Sequence, residues 1–123
     1  MSRQPLIAVI DDDESFRPAL VESLSSLAYG VRDFSSAEDF TASGQEGSYD
    51  CIITDVHLTG MSGIDLKKKL AGRGIDVPVI MITAHSDPGL EGRAVASGAV
   101  CLLRKPFESK ALIDCLKKAL NGN

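Results

Sequence analysis

The sequence predicts an α/β fold in which helices cover both faces of a parallel five-stranded sheet. Five short apolar runs recur along the 123 residues, and segments with apolar residues at helical spacing separate them. Runs that are apolar throughout, rather than alternating with polar residues, are typical of parallel strands buried on both faces. The connections are short, which favours right-handed βαβ crossovers and a (βα)5 three-layer sandwich.

The length and composition indicate one globular domain with a single core. A chain of 123 residues with 44% hydrophobic and 24% charged residues is neither disordered nor fibrous. Its three cysteines, Cys51, Cys101 and Cys115, are an odd number without metal-like spacing, so we interpret them as reduced core residues.

The sequence disfavours a membrane protein and a nucleic-acid-binding segment. No apolar segment approaches the roughly 20 residues of a membrane span, and residues 1–5 lack the apolar region of a signal peptide. We therefore expect a cytoplasmic protein without a membrane partner. The net charge of -4 argues against direct binding of nucleic acid, because neutralising phosphates needs a basic surface. A DNA-binding output domain outside this segment stays open.

Four of the five predicted strands end beside polar or charged residues. The predicted strands are residues 6–10, 31–34, 51–55, 77–83 and 99–103. The third strand organises the rest of the chain, because its apolar run ends abruptly in the carboxylate of Asp55. The first strand stops at Asp11 and Asp12. The fourth ends at Thr83, and the fifth is followed by Lys105.

Helices are predicted where apolar residues recur three or four positions apart. They span about 15–28, a short stretch around residue 40, 64 to 72 or 74, about 90–98 and about 109–120, with a loop at 44–48. Gly30 is expected to stop the first helix, and Ser36 and Ser109 are candidate caps of the second and the last. The lysines at 67–69 are interpreted as a solvated face. Gly92 lowers helix stability by roughly 1 kcal/mol relative to alanine, so the fourth helix is expected to be the least stable element.

The favoured strand order is 2-1-3-4-5, which is the flavodoxin-like arrangement. In this order the first and third strands are neighbours where the winding reverses, which places Asp11, Asp12 and Asp55 on either side of the crevice. Thr83 and Lys105 follow the next two strands. We therefore expect one site at the carboxyl edge of the sheet.

Three carboxylates at one edge predict a cation between them, because their charges otherwise repel. Oxygen ligands without a Cys/His cluster favour Mg²⁺, with Asp12 and Asp55 as direct ligands. A carboxylate held beside Mg²⁺ can attack phosphorus and form an aspartyl-phosphate. The ammonium of Lys105 and the hydroxyl of Thr83 are suited to the oxygens of a transferred phosphoryl group.

Four segments together resemble the receiver domain of two-component response regulators, especially those with a helix-turn-helix output. The segments are VIDDDES at 9–15, TDVHLTGMSG at 54–63, ITAH at 82–85 and LRKPF at 103–107. Each is weak alone, but the four occur in order, each at the end of a predicted strand. The resemblance covers nearly the whole chain and implies one receiver domain over residues 1–123.

The resemblance implies the phospho-acceptor and the metal ligands. Asp55 would accept a phosphoryl group from a sensor histidine kinase. Asp11 and Asp12 would be the acid pair that holds Mg²⁺, and the backbone carbonyl of His57 would be a further ligand. The domain would be a signalling switch with Mg²⁺-dependent self-phosphorylation and self-dephosphorylation, rather than an enzyme.

The resemblance also implies a switch that responds to phosphorylation. Thr83 would be the switch hydroxyl and Lys105 would contact the phosphate, with a cis peptide bond between Lys105 and Pro106. The family usually has Phe or Tyr at the strand-five position of Leu102, so the coupled threonine and aromatic switch is not expected here. We instead expect readout through Thr83 and a mobile segment at 86–98, which is rich in glycine.

One other departure from the family pattern, and two histidines, lie in loops at the site. Leu58-Thr59-Gly60 stands where the family commonly has Met-Pro-Gly, which predicts a less rigid loop. His57 and His85 each lie two residues beyond a predicted site residue. They are either exposed loop residues, or they flank the phosphoryl group and tune how fast water removes it.

Alternative functions and a partner surface stay open. An Mg²⁺-dependent aspartyl phosphatase would need a second carboxylate two residues after the nucleophile, where His57 stands. A flavin-binding flavodoxin-like module would need a phosphate-cradling loop after strand one, where four acids stand at 11–14. The charged face of the last two helices and strand five is either solvated or forms a homodimer or partner surface.

Overall fold

The structure, a computed structural model, describes residues 4–121 and confirms the predicted fold. Within these residues a parallel five-stranded sheet has the order β2-β1-β3-β4-β5. The strands are β1 (Leu6–Ile10), β2 (Gly30–Phe34), β3 (Cys51–Asp55), β4 (Val79–Thr83) and β5 (Cys101–Arg104). The helices are α1 (Phe16–Ser26), α2 (Ala37–Ala42), α3 (Gly63–Gly72), α4 (Leu90–Ala96) and α5 (Ser109–Leu120), with a short 3-10 helix at Glu46–Ser48. Among the described residues, no helix combines the length and apolar character needed to cross a bilayer.

Two apolar layers, one on each face of the sheet, form the core. Neighbouring residues of a strand point to opposite faces, so Ile52 and Ile53 of β3 enter different layers. Helices α2, α3 and α4 cover the layer of Ile52, whereas α1 and α5 cover the layer of Ile53. Every residue of β3 and β4 is buried, which explains why these strands do not alternate with polar residues.

The first helix ends earlier than predicted. Helix α1 stops at Ser26, and Ala28 reverses the chain with a positive φ of 70°. Gly30, which was expected to stop the helix, is instead the first residue of β2, and its N–H donates to the carbonyl of Pro5 at 2.9 Å. A left-handed residue just beyond the last turn ends many helices, and here that residue is not a glycine.

The two predicted helix caps have different outcomes. Ser36 caps α2 as predicted, because its hydroxyl oxygen accepts the backbone N–H of Asp39 at 3.0 Å. Ser109 does not cap α5, since it already belongs to the helix and Glu108 takes the cap position without a side-chain hydrogen bond. The carbonyl of Glu108 instead accepts the N–H of Ala111 at 3.0 Å.

Two predictions of burial are wrong. Lys67 is only 9% exposed, and a β-carbon at Gly98 would lie 3.3 Å from its Cε, so its stem packs on the turn between α4 and β5. A lysine can bury its aliphatic stem while its ammonium reaches water. Cys101 is half-buried because β5 is an edge strand, while Cys51 and Cys115 are buried. All three cysteines, which lie within the described residues, are free thiols.

Candidate functional site

Parallel strands bring the predicted site residues to one edge of the sheet. Asp55 is the last residue of β3, and Thr83 is the last residue of β4. Asp11 directly follows β1, and its N–H donates to the carbonyl of Phe34 at 3.1 Å. The N–H of Lys105 donates to the carbonyl of Thr83 at 2.7 Å, which continues the pairing of β4 and β5. The carboxyl ends of neighbouring strands therefore hold these residues at fixed positions.

Asp11, Asp12 and Asp55 form the acidic cluster. One carboxylate oxygen from each residue lies within 4.8 Å of the others. Asp11 is fully buried and Asp55 is 6% exposed, whereas Asp12 faces solvent. Hard oxygen donors that are open to solvent on one side fit a divalent ion that keeps part of its water shell.

Among the described residues, Lys105 supplies the positive charge that lies in the acidic cluster. Its Nζ lies 2.8 Å from Oδ2 of Asp11 and 2.9 Å from Oδ2 of Asp55. The same nitrogen lies 4.2 Å from the centroid of the Phe16 ring. Burial by itself lowers the pKa of Lys105, but the hydrogen bonds to the two carboxylates outweigh burial and raise this pKa. The Lys105–Pro106 peptide bond is cis, as predicted.

Burial disfavours the ionised form of the Asp11 carboxyl group. Burial raises the pKa of its carboxyl group above the ordinary value, although hydrogen bonds from Lys105 and from the backbone N–H of Asp13 oppose the shift. The nearby charge of Asp55 also raises the pKa of Asp11. Without a cation beside them, the ionised carboxylates of the acidic cluster would therefore destabilise the fold.

Fixed donors orient each carboxylate of the cluster. Oδ1 of Asp55 accepts the backbone N–H of His57 at 2.9 Å, and Oδ1 of Asp11 accepts the backbone N–H two residues further on at 3.0 Å. Thr59 donates both its backbone N–H and its hydroxyl to Oδ2 of Asp12, each at 3.1 Å. The hydrogen bonds that Asp12 accepts from residues 4–121 are both at Oδ2.

The loop after β3 contains site contacts that the sequence did not predict. Besides the contact of Thr59 with Asp12, the backbone N–H of Met61 donates to Oε2 of Glu38 in α2 at 2.8 Å. The loop expected to be less rigid is thus tied to two neighbouring segments. Thr59, which stands where the family commonly has proline, was the sequence signal for this contact. Unlike threonine, proline has neither a backbone N–H nor a hydroxyl to donate.

The two histidines lie together beside Thr83. Their ring centroids are 4.2 Å apart, and Nδ1 of His57 is 3.3 Å from Oγ1 of Thr83. The backbone N–H of His85 donates to the same hydroxyl oxygen at 3.0 Å. Nε2 of His57 is 3.2 Å from Oδ2 of Asp87, a residue outside the motifs and therefore missed. Both rings are exposed; the ring of His57 takes part in hydrogen bonds, whereas the ring of His85 only packs beside it.

Leu102 of β5 lies on the face of the sheet that α4 covers. It is half-buried and packs against the apolar layer that includes Leu90 and Ala94. With Glu91 and Ala111 it lines a shallow groove between α4 and α5. Its side chain has no polar group, so it makes no hydrogen bond at the site.

The fold and the site together define a class of protein. A flavodoxin-like domain presents an acidic cluster, a lysine and a threonine at the carboxyl edge of its sheet. The family model of the response regulator receiver domain matches residues 7–117. The chain therefore belongs to the response regulator receiver domain family of two-component systems. Membership of this family argues against the aspartyl phosphatase and the flavin-binding alternatives.

Curated relatives of this chain are regulatory proteins. The chain is 38% identical to the transcriptional regulatory protein FixJ of Azorhizobium caulinodans over 114 residues, covering 93% of this chain and 54% of FixJ. It is 34% identical to the transcriptional regulatory protein TdiR of Thauera aromatica over 117 residues, covering 95% of this chain and 52% of TdiR. The chain thus spans about half the length of these relatives.

Solved structures show the same fold. The crystal structure of FixJ-N superimposes with a TM-score of 0.88 and 30% identity, covering 100% of this chain and 98% of that chain. The structure of the response regulator StyR gives a TM-score of 0.89 and 36% identity, covering 98% of this chain and 61% of that chain.

Proposed function

We propose that this receiver domain accepts a phosphoryl group on Asp55 from a sensor histidine kinase and thereby changes a surface that a partner recognises. The observation that supports this most is the ammonium of Lys105 between Asp11 and Asp55. Asp11, Asp12, Asp55 and the backbone carbonyl of His57 would hold Mg²⁺. When bound, Mg²⁺ supplies charge neutralisation for the oxygens of the transferring phosphoryl group.

The residues of this chain have distinct tasks in the transfer. A carboxylate oxygen of Asp55 forms a bond to phosphorus, while the phosphorus–nitrogen bond of the donor phosphohistidine breaks and its imidazole keeps the electron pair. The backbone N–H of His57 fixes one oxygen of Asp55, and Lys105 lies at the other. Lys105 is therefore placed to neutralise the arriving charge, and Thr83 can donate its hydroxyl to a phosphoryl oxygen.

Phosphorylation adds a charge of about -1.5 to -2 to the site, together with new acceptor oxygens. The segment at 86–98 is the part of the chain proposed to respond. It contains α4, which has only seven residues, no side-chain cap and a left-handed Gly89 with a φ of 80° at its start. A short helix with these properties, and with Gly92 inside it, opens at a low free energy.

Intact mass spectrometry after incubation with a small-molecule phosphodonor and Mg²⁺ tests the proposed acceptor. We expect one phosphoryl adduct on the wild type and none on Asp55→Asn, because the amide is not a nucleophile toward phosphorus. Asp114→Asn, on the exposed face of α5, is the matched control and should carry the adduct. An adduct on Asp55→Asn, or none on the wild type, would refute the assignment.

Thr59→Val is expected to weaken Mg²⁺ binding roughly tenfold, the size typical of losing a group that orients a metal ligand. Valine keeps the shape of threonine but cannot donate a hydroxyl hydrogen to Asp12. Calorimetric titration with Mg²⁺ measures the affinity, and the Mg²⁺-dependent rise in unfolding midpoint gives an independent readout. Thr41→Val in α2 is the control, since its hydroxyl donates to the backbone carbonyl of Glu38 in the same helix. Equal affinity of Thr59→Val and wild type would contradict the orienting role.

The output and assembly belong to the same proposal. Because the relatives FixJ and TdiR are transcriptional regulatory proteins, we propose a DNA-binding output domain outside this segment. A homodimer through α4, β5 and α5 would transmit the modification to it. Light scattering with and without a phosphoryl mimic tests the dimer, and an unchanged mass would argue against it.

The free thiols support a cytoplasmic location, where cysteines stay reduced.

A further inference from the structure

We propose that His57 and Asp87 are positioning residues that hold the Thr83 hydroxyl at rest and connect it to the start of α4. The inference rests on the proposed phosphorylation of Asp55. It names the side chains that connect Thr83 to the segment at 86–98. Phosphorylation would break the contact of Thr83 with His57 and so loosen the first turn of α4.

The contacts form a continuous chain from the acceptor to the helix. The backbone N–H of His57 donates to Oδ1 of Asp55 at 2.9 Å, and its Nδ1 lies 3.3 Å from Oγ1 of Thr83. On the far side of the ring, Nε2 is 3.2 Å from Oδ2 of Asp87. The carbonyl of Asp87 accepts the N–H of Leu90, the first residue of α4, at 3.2 Å.

One tautomer of the neutral His57 imidazole satisfies both hydrogen bonds of the ring. Oγ1 of Thr83 already accepts the N–H of His85, so the hydroxyl hydrogen is available to donate to Nδ1 of His57. A neutral imidazole with its hydrogen on Nε2 then donates to the carboxylate of Asp87. The ring of His85, 4.2 Å away, packs beside that of His57 and limits its movement. In this tautomer the hydroxyl hydrogen of Thr83 points to Nδ1 of His57 before phosphorylation.

A phosphoryl group on Asp55 would compete directly for this hydroxyl. Its charged oxygens are stronger acceptors than a neutral imidazole nitrogen. When Thr83 turns toward them, the His57 ring loses the hydrogen bond at Nδ1, although it still contacts Asp87 and the ring of His85. The His57 ring then holds Asp87 less firmly. The first turn of α4 loosens with it, because α4 has no side-chain cap that could take over this role.

Amide hydrogen exchange of residues 90–96 tests the connection, with beryllium trifluoride and Mg²⁺ as the phosphoryl mimic. In the wild type, at a protein concentration where light scattering shows a monomer with the mimic bound, the mimic should speed exchange a few-fold, the size expected from the loss of one exposed side-chain contact. Asp87→Ala should show the same few-fold increase without the mimic, and the mimic should then add nothing. Asp87→Asn keeps an acceptor oxygen for Nε2 of His57 and should restore the wild-type response.

Controls separate this inference from the proposed function. Asp114→Ala, which removes an exposed carboxylate from α5, should respond like the wild type. Failure of the mimic to bind the wild type, seen as no bound fluorine resonance, would overturn both the acceptor role of Asp55 and the connection. A bound mimic together with a full exchange response in Asp87→Ala, or no rescue by Asp87→Asn, would overturn the connection alone.

Discussion

Lys105→Met is expected to lower the free energy of unfolding at neutral pH by about 3 kcal/mol, the effect of removing one partner from a buried ion pair. The Nζ of Lys105 lies within 2.9 Å of carboxylate oxygens of both Asp11 and Asp55, and Asp11 is fully buried. Methionine fills a similar volume but leaves both carboxylates without their cation. Urea unfolding at pH 7 measures the loss.

The pH dependence of this loss of stability follows from the raised pKa values of Lys105 and Asp11. The folded state raises the pKa of Lys105, so the stabilisation by this lysine is complete below the ordinary pKa of lysine and is lost only as pH rises through the higher folded value. Burial likewise raises the pKa of Asp11, so its protonated form stabilises the fold at low pH. The loss in Lys105→Met should therefore shrink as the medium becomes acidic.

Two comparisons sharpen the Lys105 experiment. Lys110→Met removes an exposed ion pair with Asp114 and should change stability little, because water screens that pair. Saturating Mg²⁺ should recover part of the stability of Lys105→Met, since the proposed metal site supplies a replacement cation. An unchanged stability of Lys105→Met at pH 7 would contradict the role of this lysine as the counter-ion of the cluster.

Gly63→Ala is expected to lower the free energy of unfolding by about 2 kcal/mol, as for other groups forced into a packed site. A β-carbon at Gly63 would lie 2.5 Å from the backbone oxygen of Asp55 and 3.1 Å from Cγ2 of Thr54. Backbone atoms cannot rotate away from this contact. The end of β3 or the start of α3 must shift instead, which displaces Asp55.

The same helix supplies the control for Gly63→Ala. Nothing lies within 4 Å of a β-carbon at Gly72, the last residue of α3, so Gly72→Ala should keep or slightly raise stability. Unfolding experiments and the rate of adduct formation from the phosphodonor should both be compared. If Gly63→Ala matched the wild type in both measurements, the close approach of α3 to Asp55 would have no consequence for stability or for the proposed phosphorylation.

Local pattern was sufficient for the architecture. Apolar runs of strand length predicted the buried strands, and β3 begins at Cys51 and ends at Asp55 as expected. The position of Asp55, Thr83 and Lys105 at strand ends followed from the same pattern, because parallel strands share one carboxyl edge. Element ends were less predictable, as Gly30 and Ser109 show, since a cap depends on which backbone groups the next segment leaves unpaired.

The sequence by itself determined which segments are buried strands and which polar residues stand at their ends, because periodicity and strand ends are local properties. The strand order 2-1-3-4-5 was only favoured by the sequence, and the structure confirms it. Only the tertiary structure decided that Thr59 orients Asp12, 47 residues away, and that His57 contacts Asp87, 30 residues away. It also decided that Lys67 is buried against the turn at Gly98. Such contacts depend on how loops from different strands meet in space, which no local pattern records.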